Sequence, residues 1–204
     1  SAAHIYGKPV VWAEAFTGGP AFANAPRDLK ARGDWAFCEG INQFVLHVNI
    51  HQPWEDKKPG INAWFGTEFN RHNTWFNRMQ PWVDYLRRST VMLQSGLHVA
   101  DVAYFIGEDA PKMAGERRPA LPAGHDYDYI NADVIEHRLE VRDGRFVLPD
   151  GMSYRLLVLP ESKTMRPALL KKIKELAAAG GAVFGPAPER SPSLENYPAC
   201  DAEV

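Results

Sequence analysis

The stretch Lys8-Pro-Val-Val-Trp-Ala-Glu14-Ala-Phe-Thr-Gly-Gly19 constrains this chain most, because an apolar, strand-like run ends there in one carboxylate and a glycine turn. Side chains alternate along an extended backbone, so Val10, Trp12 and Glu14 share one side and Val11, Ala13 and Ala15 the other. Glu14 therefore projects at the carboxyl end of a strand, where parallel α/β folds keep their active sites. The same residue also fits a plainer reading, a strand-end glutamate facing solvent or paired with an arginine. The stretches that follow bear on that choice.

After a Gly/Pro/Ala loop, residues 26–39 form a weak helical pattern carrying Leu29, Trp35 and Phe37. Gly40-Ile-Asn-Gln-Phe-Val-Leu-His-Val-Asn-Ile-His51-Gln-Pro53 then reads as a second strand. Phe44, Leu46, Val48 and Ile50 fall on one side of it, and Val45, His47, Asn49 and His51 on the other. In a parallel barrel with its helices outside, the apolar set faces the helices, and His47, Asn49 and His51 turn toward the axis and upper rim. Taken singly, each histidine is equally well a hydrogen-bonded group in a half-buried strand. Together, and followed by Gln52 and Trp54, they form the kind of polar cluster that lines a pocket. His47 and His51 lie roughly 13 Å apart along a strand, too far to share a metal ion, so the reading is substrate hydrogen bonding with no metal.

Residues 55–73 form a long loop containing Trp64, Phe65, Thr67, Glu68, Phe69, Asn70, Arg71 and His72, of a length that is commonly functional. Glu68 and Arg71 fit either a solvated ion pair or a substrate contact. A helical pattern over 74–95 follows, in which Pro81 is expected to kink the helix or restart it and Gly96 to stop it. The domain boundary is placed there, with domains at 1–96 and 97–204.

The second half begins a new α/β pattern. It has a strand at 99–106, a short helix at 131–137, a hairpin over 139–148 turning at Asp143-Gly144, a buried strand at 154–160, a helix at 166–179 and a strand after Gly180-Gly181. This predicts a small parallel sheet with helices on its faces. It contains no nucleophile elbow, dinucleotide fingerprint or Walker loop, which points to a non-catalytic module. Asp126, Asp128 and Asp133 are candidate metal ligands, but such residues before a helix mostly serve as caps and loop formers. His125 and Tyr127 are placed to reach over a neighbouring pocket.

Composition narrows the classes of partner. With 23 basic and 25 acidic residues, the net charge of −2 gives no electrostatic case for nucleic acid or an anionic membrane surface. No apolar run approaches a membrane span, and no basic start precedes an apolar signal core. Cys38 and Cys200 imply no disulfide framework. The six Trp, seven Tyr and ten Phe are concentrated in the first half, and aromatic faces suit flat apolar ligands such as carbohydrate. Ser1-Ala-Ala-His-Ile-Tyr-Gly7 reads as a helix end closed by glycine, so the start is expected to be an internal cut. The Pro/Ser-rich tail after Pro186 reads as incomplete.

Several of these stretches resemble a known family. Ser1-Ala-Ala-His-Ile-Tyr-Gly-Lys-Pro, Ala13-Glu14-Ala-Phe-Thr17, Gly40-Ile-Asn-Gln-Phe-Val-Leu-His47 and His51-Gln-Pro53 are similar to the end of the catalytic barrel of glycoside hydrolase family 106, the α-L-rhamnosidases. Asp126-Tyr-Asp-Tyr-Ile-Asn131, Tyr154-Arg-Leu-Leu-Val-Leu-Pro160 and Ala179-Gly-Gly-Ala182 resemble the amidotransferase-like, flavodoxin-like module that follows it, a module also present in certain β-galactosidases. The resemblance implies an α/β fold: the last strands of a (β/α)8 (TIM) barrel, then a small flavodoxin-like domain. Glu14 becomes one of two catalytic carboxylates, a general base in an inverting enzyme or a nucleophile in a retaining one. The partner carboxylate and about six barrel strands lie outside these residues, so the chain alone is expected to be inactive.

The substrate-binding candidates are Trp12, His47, Asn49, His51 and Trp54, and the partner is a carbohydrate. No cofactor is expected beyond a structural divalent cation that a full-length enzyme could hold. A periplasmic or secreted location is implied by the resemblance alone. The alternatives are a β-galactosidase-like retaining glycosidase and a non-catalytic carbohydrate-binding module.

Overall fold

A computed structural model describes residues 1–109, 112 and 115–204. The chain forms two compact units, Val10–Gly96 and, discontinuously, Ser1–Pro9 with Leu97–Val204. One division between the units falls after Gly96. Residues 1–9, expected with the first unit, group instead with the second. The reason is packing: α1 (Ala2–Ile5) buries Ile5 in the core of the second unit, and Arg138 Nε donates to the Ile5 carbonyl at 3.2 Å.

In the unit 10–96, β1 (Trp12–Ala15) leads through α2 (Pro26–Cys38) to β2 (Gln43–Leu46). The two strands pair in parallel, Glu14 opposite Val45. Pro26 in the first turn of α2 and the Asp28 carboxylate, which accepts the Ala25 N–H at 2.9 Å, fix where that helix starts. A 3-10 turn at Phe76–Arg78 precedes α3 (Gln80–Gln94), so Pro81 starts this helix rather than kinking it. Phe16, Leu29, Phe69, Trp82 and Leu86 form the core, with Phe44 and Leu46 of β2 packed on it. Phe16 meets Phe44 and Trp82 edge-on, ring centres 5.1 Å apart in both pairs.

β2 is much shorter than the sequence alternation implies. It ends at Leu46, and Val48 N–H then donates to the Thr67 carbonyl at 2.7 Å while Phe69 N–H donates to the Val48 carbonyl at 2.8 Å. The backbone that would have extended the strand pairs with the later loop instead. His47, Asn49 and His51 therefore lie beyond β2, not on an inward strand face.

The second unit centres on a four-stranded parallel sheet formed by β3 (Val102–Phe105), β4 (Tyr127–Ile130), β8 (Leu156–Val158) and β9 (Ala182–Phe184), in the order β4-β3-β8-β9. α4 (Ala132–His137) follows β4, and the Asn131 side chain caps it by accepting Val134 N–H at 3.0 Å. β5 (Glu140–Arg142), β6 (Arg145–Val147) and β7 (Ser153–Tyr154) make a small antiparallel sheet. Asp143 and Gly144, at φ 50° and 72°, turn its hairpin where the Asp-Gly pair predicts. The single strand expected at 154–160 is two strands in two sheets, divided at Arg155.

β3 is buried along its whole length because both sheet faces are covered. Ala103 and Phe105 join the larger core, while Val102 and Tyr104 pack with Val158 on the other face. α5 (Pro167–Ala178) buries Leu169, Ile173 and Leu176 along one stripe, at roughly 1.5–3 kcal/mol per side chain. The Gly-Gly turn after it has two separate causes. Gly180 takes φ +98°, and a Cβ on Gly181 would stand 2.7 Å from the Phe146 ring.

Candidate active site

Glu14 is the third residue of β1 and is exposed, as is Trp12 on the same side of the strand, whereas Ala13 and Ala15 are half-buried. Thr17 Oγ1 donates to Glu14 Oε1 at 2.7 Å, which fixes one carboxylate oxygen and leaves the other open. Between them Phe16 adopts φ +67° with its ring buried, turning the chain sharply at the strand end while anchoring it in the core. The carboxylate is thus held by a local turn rather than by an arginine.

His47 joins Glu14 at this end of the sheet, since its N–H donates to the Ala15 carbonyl at 3.0 Å. Its ring is half-buried, stacked on Phe65 with centres 5.1 Å apart and planes 17° from parallel. Gly66 lies against the ring's Nδ1, where a Cβ would come within 2.5 Å, and its φ is +98°. Gly66 N–H donates to the Gly18 carbonyl at 3.2 Å, so the Glu14 turn and the aromatic loop are tied together. Asn49, His51 and Trp54 are exposed on the segment after β2, and among the described residues none hydrogen-bonds to Glu14.

The loop is shaped by buried polar groups, Glu68 and Gln52, that the sequence marks as polar candidates without showing that they are internal. Glu68 is fully buried, its carboxylate accepting Ala63 N–H at 2.9 Å and Asn70 Nδ2 at 2.8 Å. It does not pair with Arg71, which donates to the carbonyls of Gln52 at 2.7 Å and Trp54 at 3.0 Å and lies 3.3 Å from Glu55. Buried Gln52 bridges the Ile50 and Ile61 carbonyls and accepts Ile61 N–H at 3.0 Å. Their positions between aromatic and Gly/Asn residues are the only signal in the sequence that could have marked them as internal braces.

In the second unit, His4, His98 and Asp128 place potential metal-ligand atoms within 4.8 Å of one another. The two imidazoles, however, are stacked 4.3 Å apart and only 15° from parallel. An ion has to lie about 2.0–2.1 Å from each nitrogen, close to both ring planes, which a parallel stack does not allow. The cluster is instead a hydrogen-bond network: buried Asp128 accepts from His4 Nδ1 at 2.8 Å and from the Tyr154 hydroxyl at 3.0 Å.

Burial pushes the Asp128 carboxyl up, but the His4 hydrogen bond and charge outweigh it and leave it below the ordinary carboxylate value. Burial, then the His4 charge, lowers His98; burial and the Asp128 charge raise the Tyr154 phenol far up. Asp126 contacts His98 at 3.4 Å, and Asp133 accepts the Tyr6 hydroxyl at 2.9 Å, so the three aspartates do not converge on one point. His125 pairs with Asp101 at 2.6 Å.

A cavity of about 230 Å³ opens beyond the carboxyl ends of β3 and β8, lined by Glu108, Arg118, Ser162, Thr164 and several prolines. Among its polar groups, Glu108 is already paired with Arg166, and the Ser162 hydroxyl accepts Thr164 N–H at 3.2 Å. The exposed carboxylate lies at the end of β1, apart from this cleft's lining.

Comparison with known proteins completes the description. The alpha-L-rhamnosidase family Glyco_hydro_106 matches residues 1–204. A protein of Formosa agariphila, provisionally named a beta-glucuronidase, is 43% identical over 205 residues that make up 100% of this chain and 18% of that protein. The solved rhamnosidase from Novosphingobium sp. PP1Y superposes with a TM-score of 0.86 at 39% identity, covering 98% of this chain and 20% of that one. The chain thus spans about a fifth of the length of these relatives.

Proposed function

The chain belongs to the alpha-L-rhamnosidase family, glycoside hydrolase family 106, and from that premise we propose that it is the part of a glycosidase that carries one catalytic carboxylate, Glu14. The supporting observation is Glu14 itself, exposed at the carboxyl end of a parallel strand with one oxygen held by Thr17. On this reading β1 and β2, joined through α2, are the last strands of a (β/α)8 barrel. The later unit, whose parallel strands run in the order second, first, third, fourth, is a flavodoxin-like module without a catalytic role. Residues outside 1–204 supply the remaining strands and the second carboxylate.

The proposed reaction is hydrolysis of terminal α-L-rhamnosides with inversion. Glu14 takes a proton from water as it attacks the anomeric carbon, while the partner carboxylic acid protonates the departing glycosidic oxygen. The two carboxyl groups then stand roughly 6.5–9.5 Å apart, against about 5–5.5 Å for a retaining pair in which Glu14 would be the nucleophile. Trp12, His47, Asn49, His51 and Trp54 are the proposed sugar contacts, and a location outside the cytoplasm belongs to the same proposal.

The test is Glu14→Gln in the full-length enzyme. Turnover of a nitrophenyl α-L-rhamnoside is expected to fall by about 10²–10⁴ or more with the melting temperature unchanged, and a near-normal rate removes Glu14 from the mechanism. The name of the Formosa relative favours one further comparison. A panel of α-L-rhamnoside, β-glucuronide and β-galactoside substrates decides the sugar, and a response confined to either of the last two overturns the rhamnoside reading.

A further inference from the structure

The loop after β2 carries two aromatic rings, Phe65 and Trp64, that the proposed reaction does not use. Trp64 is 92% exposed, the most exposed large apolar side chain described. It is not loose: its indole meets the Phe65 ring at 4.3 Å and 62°, and Phe65 lies flat against His47, whose backbone is bound to the residue after Glu14. The row His47, Phe65, Trp64 is therefore tied through the His47 backbone to the strand that carries Glu14. It is braced on both sides, with Gly66 leaving room for the imidazole and buried Glu68 holding Ala63, the residue before Trp64, through its N–H.

An indole held this open, at the mouth of a site whose family acts on sugars, suits the apolar C–H face of a pyranose ring. On the glycosidase reading the ring being cleaved is held at Glu14 and His47, and the aromatic row leading from His47 through Phe65 offers Trp64 to the next ring. We propose that Trp64 is a specificity-determining residue that stacks on the sugar following the hydrolysed one, with Phe65 as the positioning residue that sets the indole's angle. This rests on the glycosidase reading above. It predicts preference for rhamnose attached to another pyranose over rhamnose attached to a small alcohol.

The test uses the full-length enzyme with Trp64→Ala and Trp64→Tyr, on a rhamnosyl-hexose disaccharide and on methyl α-L-rhamnoside. Trp64→Ala is expected to lower kcat/KM for the disaccharide about three- to tenfold, mainly through KM, and to leave the methyl glycoside within twofold. Trp64→Tyr is expected to restore most of the loss. In a Glu14→Gln background, disaccharide binding measured by calorimetry should weaken by the same factor when Trp64 is also replaced by alanine. An active enzyme whose disaccharide kinetics ignore Trp64→Ala, or which loses equally on both substrates, overturns the platform alone. An unsubstituted enzyme that hydrolyses no glycoside in the panel overturns the glycosidase reading and the platform with it.

Discussion

Asp128 shows how many partners one buried carboxylate can hold, His4, Tyr154 and the Ser1 amino group among them. Its carboxyl value in the folded state lies below the unfolded one, so its contribution to stability is present above the unfolded value of about 3.9 and is lost as pH falls through the lower folded value. His98, also depressed, adds a loss of the same sign that begins as pH drops below about 6.5. Melting temperature is therefore expected to decline in acid in two stages. Asp128→Asn should shrink the lower stage, to which Asp34 and Asp101 also contribute, and cost about 1.5–3 kcal/mol at neutral pH, measured by thermal unfolding against pH; an unchanged acid limb would contradict the network.

Neither Asp128 nor Glu68 was legible as a buried group. Asp128 sits among residues that read as helix caps, and Glu68 stands three residues from an arginine it never touches. Sequence reports residue type, whereas burial of a carboxylate depends on donors from elsewhere, here His4, Tyr154 and the backbone of Ala63. The exposed strand-end placement of Glu14 was legible because its signal is local, an alternating run and a turn.

Elements with strong periodicity, α3, α5 and the Asp143-Gly144 hairpin, were read close to where they form. β2 was not, and its case is informative. The alternation from residue 44 to 51 is real in the sequence, but whether a strand continues is settled by which backbone lies beside it. After Leu46 that neighbour is the 67–69 segment, brought in because Gly66 can take a left-handed φ against the His47 ring. Gly66→Ala meets both obstacles at once. It is expected to cost about 1–3 kcal/mol and, by displacing His47, to lower kcat/KM at least tenfold in the full-length enzyme; a variant with normal kinetics would detach this turn from the site.

At the scale of the whole molecule, the two units differ in how well they are built. The larger core of the second unit joins both sheets to α4 and α5, whereas the unit 10–96 rests on five buried apolar residues and a two-stranded sheet. Two strands alone are marginal in water, and Trp12 and Val45 stand 64% and 46% exposed on the open face. Residues 1–204 expressed alone are expected to show no rhamnosidase activity and to be cut first by protease in the 55–65 loop, before the second unit is touched. Mass spectrometry of the first fragments checks this, and early cleavage within 127–184 would reverse the ranking of the units.

The grouping of residues 1–9 with the second unit has a further consequence, one for inheritance and engineering rather than for chemistry. That module is discontinuous along the chain, because Ile5, His4 and Tyr6 serve the core, Asp128 and Asp133 across more than a hundred intervening positions. A fusion or transplant that cut once after Gly96 would leave those partners behind. A graft that carries the module whole has to excise 10–96 and bridge Pro9 to Leu97.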